Sequence, residues 1–273
     1  WHGLLPPTSV APLFEGEEAV PVSPSAIEKL LESPLDWFLE RVAGGDSGIY
    51  ANVGTIVHWA METVAEPSPA ALWAAVESRW DELVFEAPWL ASRQQQIVRG
   101  FTDALAEYLD DFTSGGKTLV GAESRFELAV GRALLRGSID RVERDGEGAV
   151  VIVDLKTGTP ITRQSDIDAH PQLGAYQLAY AEGILNEALA AHGEHSSGGA
   201  KLLYVKEGVG SKRYREAIQA AMTPEQLEAF RERVSAAALL IAAAEFAGTL
   251  ELPGYGMDTS RLRLHRVRAV SSD

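Results

Sequence analysis

The 273-residue chain contains no cysteine. That excludes disulfides, thiolate-bound metals and iron–sulfur clusters, and leaves oxygen and imidazole as the side-chain metal ligands on offer. Positive charge is scarce: 24 Lys and Arg stand against 39 Asp and Glu, a formal net charge of −15. A protein that grips nucleic acid unaided does so by neutralising phosphates, so tight stand-alone binding is not expected. Long apolar runs are missing too. The longest, Val234 to Ala244, is Ala-rich and too short to span a bilayer, so no membrane partner and a cytoplasmic location are expected. The chain opens on Trp1 rather than Met and no charged-then-apolar leader follows, which reads as a fragment of a longer protein without a signal peptide. A phosphate-binding loop fails as well. Ser114-Gly115-Gly116-Lys117-Thr118 needs a glycine five before Gly116, and Asp111 stands there.

What remains is ample for a proper core: 46% of residues are hydrophobic, enough for one large domain or a domain with an attached helical layer. Residues 1–22 carry Pro6, Pro7, Pro12 and Pro21 with little periodicity, which predicts a linker or surface strap. Ser23-Pro24 starts a helix lined by Ile27, Leu30 and Leu31, and Ser33-Pro34 restarts it. Val53, Ile56, Val57, Ala60, Met61 and Val64 fall at amphipathic-helix spacing. Helices are expected over 67–80 and 92–112, the second burying Ile97, Phe101, Leu105, Tyr108 and Phe112. The helical layer therefore runs over about 23–113. Strands follow: Leu119 to Val130, Leu134 to Arg144, Ala149 to Lys156 and Lys201 to Lys206, a core over about 119–206. A polar loop is expected up to His170, and residues 192–199 read as a Gly/Ser loop. Thr223-Pro224-Glu225-Gln226 is a capping-box start for a helix to about Gly248, within a C-terminal segment 223–273. Its tail carries the one dense basic stretch, Arg261 to Arg268.

The chemistry concentrates between Gly137 and Tyr176. Asp145-Gly146-Glu147-Gly148 is turn chemistry between two extended runs, so Leu134 to Lys156 reads as a β-hairpin. If Arg144 pairs with Ala149, Asp140 lies opposite Val153; one more loop residue puts it opposite Asp154. Asp154 and Lys156, two apart, share a strand face. Salt bridges at strand ends would account for any one of these residues. Two carboxylates side by side on a buried sheet repel, and a divalent cation relieves that. Oxygen ligands with little histidine fit Mg²⁺ or Mn²⁺. A neighbouring lysine positions or deprotonates the water that such a cation activates.

Gly-Ser-Ile-Asp, a hairpin, Asp-Leu-Lys-Thr-Gly and then Gln172-x-x-x-Tyr176 resemble the PD-(D/E)XK nuclease superfamily in its RecB-like branch. Upstream, Gly54-Thr55-Ile56-Val57-His58 is similar to that branch's first motif, whose histidine also faces the metal. Taken alone His58 reads as well as a structural histidine at the edge of an apolar stripe. The ordered set covers most of the chain from about residue 23. It implies an α/β restriction-endonuclease-like core: a small mixed sheet flanked by helices, with a helical N-terminal layer. It implies that Asp140, Asp154 and Lys156 are catalytic, that Asp140, Asp154, His58 and the Leu155 carbonyl hold the metal, and that Gln172 and Tyr176 contact DNA. Glu62, one turn beyond His58, would orient the imidazole. Glu123 opens the first strand and is either a supporting acidic group or an exposed strand end.

The resemblance implies metal-assisted phosphodiester hydrolysis. Its nearest pattern is the nuclease module of helicase–nucleases of the RecB/AddAB/AdnAB type, which process double-strand breaks. DNA would arrive as single strands from a helicase, in the same longer chain or in a partner subunit. Relatives of that type often carry a cysteine at the position of Ser33 and three more near the C-terminus to hold an iron–sulfur cluster; this chain cannot build one. A stand-alone exonuclease of the same superfamily and a non-catalytic DNA-guiding scaffold stay open as alternatives.

Overall fold

A computed structural model describes residues 11–43, 49–85, 87–243 and 246. The basic stretch Arg261 to Arg268 and the tail lie outside the described residues. Six strands form one mixed sheet ordered β1-β3-β4-β5-β6, with β2 (Thr118–Val130) paired to β3 (Ala133–Arg144). β1 is Val20–Val22, β4 Ala149–Lys156, β5 Ser196–Tyr204 and β6 Arg215–Gln219. β3 runs antiparallel to β2 and β4, while β1–β3 and β4–β5 are parallel. Helices cover both faces. One layer is α1 (Pro24–Glu32), α7 (Pro171–Ala181) and α9 (Pro224–Ala242). The other is α3 (Ile49–Thr63), α4 (Pro69–Ser78) and α5 (Pro88–Ser114). Between them, α2 spans Pro34–Ala43 in the chain, α6 Gln164–Asp168 and α8 Asn186–Leu189. This is the mixed, helix-flanked sheet expected from the motifs. Among the described residues, no helix is long and apolar enough to cross a membrane.

Alternation along β4 divides the core in two. Val150 and Ile152 join Ile27, Leu30, Leu173 and Val234 on one face; Val153 and Leu155 join Val57, Leu72 and Leu105 on the other. By that pleat Asp154 and Lys156 face the α7 layer. β3 does not keep its alternation. Ala133, Leu135 and Ile139 belong to the α7-side core, yet two residues past Asp140 it is Val142 that belongs there. Arg141 and Glu143 meet Tyr108 and Phe112 of α5 instead. The parity changes at Asp140. Directly across the ladder, between the pairs Ala122↔Arg141 and Ser124↔Ile139, stands Glu123 with φ of 46°. A non-glycine residue in the left-handed region is costly in a strand and is sustained only where its surroundings demand it. The irregularity frees Asp140 from either packed face and leaves it between the layers.

The hairpin takes the second of the two registers weighed from the sequence. Arg141 pairs with Val153 and Arg144 with Val150, so one further step brings Asp140 to Asp154. Several expectations need correcting. Residues 20–22 are not linker: Val20 and Val22 are fully buried in a parallel strand, with Pro21 exposed on its outer side, where a missing N–H costs little. Three residues are too few to show a period. Leu31 and Ile97 sit at helical core spacing but are exposed, since spacing alone does not tell which residues at the margin of an apolar stripe are covered. Residues 196–199 are strand rather than loop, Gln164–Asp168 is a short helix, and β6 carried no alternating pattern to announce it. The capping box of α9 forms as read, with Thr223 Oγ1 accepting from Gln226 N and Gln226 Oε1 from Thr223 N. The helix stops at Ala242, short of Gly248, where Ala243 turns extended. Ser33 caps α2: its hydroxyl accepts the Asp36 N–H at 3.3 Å.

Candidate active site

Gly54, Thr55, His58 and Glu62 line one stripe of α3, at the i, i+4 spacing that puts helix residues on a common face. Glycine at 54 matters because a Cβ there would stand 3.3 Å from Thr157 Oγ1, just beyond β4. The helix can therefore lie close against the strand end that carries Asp154 and Lys156. On the opposite side α7 begins at Pro171, the first-turn position that proline favours, and presents Gln172 and Tyr176 one turn apart. The strand ends supply Glu123, Ser138, Asp140, Asp154 and Lys156. These residues enclose a cleft of about 500 Å³.

Asp140 sits where the β3–β4 ladder ends, and its Oδ2 accepts the Leu155 N–H at 2.8 Å in place of a ladder bond. The same oxygen lies 3.1 Å from His58 Nδ1. Burial by itself lowers the histidine pKa, but the hydrogen bond to Asp140 and its charge prevail and hold it above the ordinary value. Asp154 is 2% exposed. Its Oδ1 accepts from Gln172 Nε2 and from the Tyr176 hydroxyl, both at 2.7 Å. Lys156 Nζ donates to Gln172 Oε1 at 2.8 Å and stands 2.7 Å from Asp154 Oδ2. That ammonium is the counter-charge of the buried Asp154 Oδ2. Burial raises the Asp154 pKa; the Lys156 charge opposes the rise and Asp140 adds to it. The Tyr176 hydroxyl is likewise held far above its usual range by burial and by the Asp154 carboxylate.

Every side chain nominated from the sequence except that of Leu155 therefore lines one cleft. Leu155 turns its side chain into the α3-side core and gives its amide to Asp140. Four placements differ from expectation. Tyr176 is 1% exposed and its hydroxyl donates to Asp154, where the resemblance implied a residue reaching for DNA. Gln172 bridges Asp154 and Lys156 in the same way while still lining the cleft. The imidazole is oriented by Asp140, not by Glu62, which lies exposed on the rim. Glu123 sits mid-strand at the kink rather than opening β2. Trp59, Arg79 and Ser138 also line the cleft without having been nominated. Adjacent helix residues point about 100° apart, so no periodicity reports that Trp59 faces the same cleft as His58. Arg79 arrives from the far end of α4 and left no mark in the sequence.

The donor set suits a hard divalent cation. It offers two buried carboxylates beside an imidazole, with a lysine as their present counter-charge. Among the described residues, no three His, Cys, Asp or Glu side chains are already gathered as a cage. His58 is paired with Asp140 instead, and Lys156 stands in as the counter-charge for Asp154.

The family model of the PD-(D/E)XK nuclease superfamily matches residues 21–251. No curated protein matches the chain. Solved structures similar to it include a candidate exonuclease from Eubacterium rectale, 15% identical, covering 83% of this chain and 82% of that one with a TM-score of 0.41. Another is the protein SSO0001, 11% identical, covering 83% and 79% with a TM-score of 0.35. The family match runs from β1 to beyond α9 and spans each strand and helix that builds the cleft, and on it this chain belongs to the PD-(D/E)XK nuclease superfamily.

Proposed function

We propose that the chain is a divalent-metal-dependent DNA nuclease. The observation that carries the reading is the pair of buried carboxylates, Asp140 and Asp154, brought together at a ladder end with the Lys156 ammonium 2.7 Å from Asp154 Oδ2. Asp140, Asp154, His58 and the carbonyl of Leu155 would hold Mg²⁺ or Mn²⁺. Such a cation, when bound, polarises a phosphoryl oxygen and lowers the pKa of a coordinated water from 15.7 to about 7 in favourable sites. The remaining work belongs to the chain. Lys156, fixed by the Gln172 amide, orients the attacking water and offsets negative charge as it develops on the phosphorus. Tyr176 and Gln172 hold Asp154 by its Oδ1 and so would fix the carboxylate as a metal ligand. His58 fixes Asp140.

The biological setting we infer is the nuclease module of a cytoplasmic helicase–nuclease that processes double-strand breaks for recombinational repair. The order of motifs supports it, and so does the net charge of −15, which suits a site fed with single strands by a motor better than one that captures DNA alone. The motor would belong to the same longer chain or to a partner subunit.

The test is cleavage of single- and double-stranded DNA with Mg²⁺ or Mn²⁺. Cutting should vanish with chelator and in Asp154→Asn, which keeps an oxygen for Tyr176 and Gln172 but removes the charge. The melting temperature of Asp154→Asn should match or exceed the parent's, because a carboxylate strained by burial and by Asp140 is gone. An Asp154→Asn protein that cuts like the parent refutes the reading.

A further inference from the structure

One wall of the cleft has no part in the proposed metal chemistry. Trp59 follows His58 on α3, and Arg79, at the end of α4, places its guanidinium carbon 5.0 Å from the centre of the Trp59 ring. The guanidinium is fixed from behind: Nε and Nη2 donate to the two Glu82 carboxylate oxygens at 2.8 and 2.7 Å. Guanidinium carries five donors in a rigid fork, so the remaining edge stays available while the side chain is held still. Trp59 and Arg79 both line the cleft, and both are only partly buried.

Charge makes this wall significant. Of the described residues lining the cleft, the carboxylates are Glu62, Glu123, Asp140 and Asp154, and the Lys or Arg side chains are Lys156 and Arg79. Lys156 is engaged by Asp154 and Gln172. Arg79 is thus the cation of the cleft that stands apart from the catalytic carboxylates. A phosphodiester entering an acidic chain needs a fixed positive contact, and a base beside that phosphate needs a flat apolar surface. Trp59 stacked with Arg79 offers both within one rigid unit.

We propose that Trp59 and Arg79 form a strand-holding subsite for single-stranded nucleic acid, with Arg79 on a phosphate neighbouring the scissile one and Trp59 stacking an unpaired base. The inference rests on the nuclease reading and adds to it the side from which the strand is gripped. Both are positioning residues: they hold the strand and leave the reacting atoms to Asp140, Asp154 and Lys156.

The experiment measures binding of a fluorescein-labelled oligothymidylate to full-length protein carrying Asp154→Asn, over a series of salt concentrations. Cleavage by the corresponding single variants is measured alongside with Mn²⁺. Trp59→Ala should weaken binding roughly tenfold or more, and Trp59→Phe should recover most of it, because stacking needs only a π-face. Arg79→Ala should lower the slope of log affinity against log salt by about 0.7, the value for one phosphate on a single strand. Arg79→Lys should restore that slope without restoring affinity, since it keeps the charge and loses the fork. In cleavage both alanine variants should raise KM and leave kcat close to the parent's. A merely structural role moves melting temperature but not the salt slope, and does not separate KM from kcat. Unchanged affinity and slope in folded Trp59→Ala and Arg79→Ala overturn the subsite, as does weakened binding in which Phe and Lys behave no better than Ala. A parent chain that cuts no DNA sinks the nuclease reading instead, and the binding series distinguishes the two failures.

Discussion

Asp154 shows how much of this site is set by single atoms. Its two oxygens have different jobs: Oδ1 accepts from Tyr176 and Gln172, while the buried Oδ2 pairs with the Lys156 ammonium. Tyr176→Phe should therefore leave the fold intact and loosen the carboxylate. Losing such a partner typically costs about 10- to 100-fold in metal affinity or activity, to be read from a Mn²⁺ titration of cleavage. An unchanged titration would place Tyr176 in packing alone, against Phe126, whose ring it meets edge-on. His170, just ahead of α7, gives the pH dependence. Its Nδ1 is buried without a partner, and burial, helped by the Lys156 charge, pushes its pKa down to about 4. In the unfolded chain it returns to about 6.5. Between those values the unfolded chain binds a proton that the folded chain refuses, so stability falls as pH drops through about 6.5 to 4. His170→Asn should lose stability less steeply across that window than the parent does. Urea midpoints at the two ends measure the difference, and equal steepness refutes the assignment.

α7 carries two of the site's residues, and its seating depends on one glycine. A Cβ on Gly174 would lie 2.7 Å from the Phe230 ring of α9, so the two helices cross with the ring resting on bare backbone. Alanine is the better helix former by about 1 kcal/mol, yet Gly174→Ala should destabilise the protein by about 1–3 kcal/mol through overpacking. Adding Phe230→Leu should return part of that loss, and chemical denaturation of the four-member cycle isolates the coupling. The hairpin, both starts at Ser-Pro, the helical run through His58 and the α9 capping box were legible from the sequence, because turn chemistry, caps and periodicity are local signals. The elements that escaped depend on distant partners. Val20–Val22 is a strand because β3 is there to receive it, and residues 196–199 pair because β4 continues beside them. Ile97 has the spacing of a core residue and is exposed. In the site, residue types and order pointed to one cleft, whereas the change of parity at Asp140, the turn of Glu123 and the arrival of Arg79 are tertiary facts with no local trace.

At the scale of the molecule, the cleft straddles two layers: His58 belongs to the α3–α5 side and Gln172 to the α7 side, with the sheet between. The α5 layer is tied to the sheet by a buried charged cluster. Glu143, 2% exposed, accepts the Tyr108 hydroxyl at 2.7 and 2.8 Å, Arg141 Nε at 2.7 Å and Lys201 Nζ at 3.3 Å. Lys201 also donates to Glu216, and Arg141 lies over the Phe112 ring. Pairing makes such a cluster tolerable, and breaking it is expensive. Glu143→Ala leaves Arg141 and Lys201 short of a counter-charge and the Tyr108 hydroxyl unpaired, at about 3–5 kcal/mol. Replacing Glu143 and Lys201 together by methionine removes both charges at once and should cost much less than the sum of the single changes. Urea denaturation followed by circular dichroism and by tryptophan fluorescence measures both, and a Glu143→Ala protein as stable as the parent contradicts the role given to the cluster. The same cluster tests whether stability and chemistry are separable. The hydrogen-bond partners of Glu143 described above, Tyr108, Arg141 and Lys201, do not themselves line the cleft, so Glu143→Ala held below its own melting temperature should cut DNA at close to the parental rate per folded molecule. A proportionally larger loss of activity would mean that the seating of α5 on the sheet also sets the distance between His58 and Asp140.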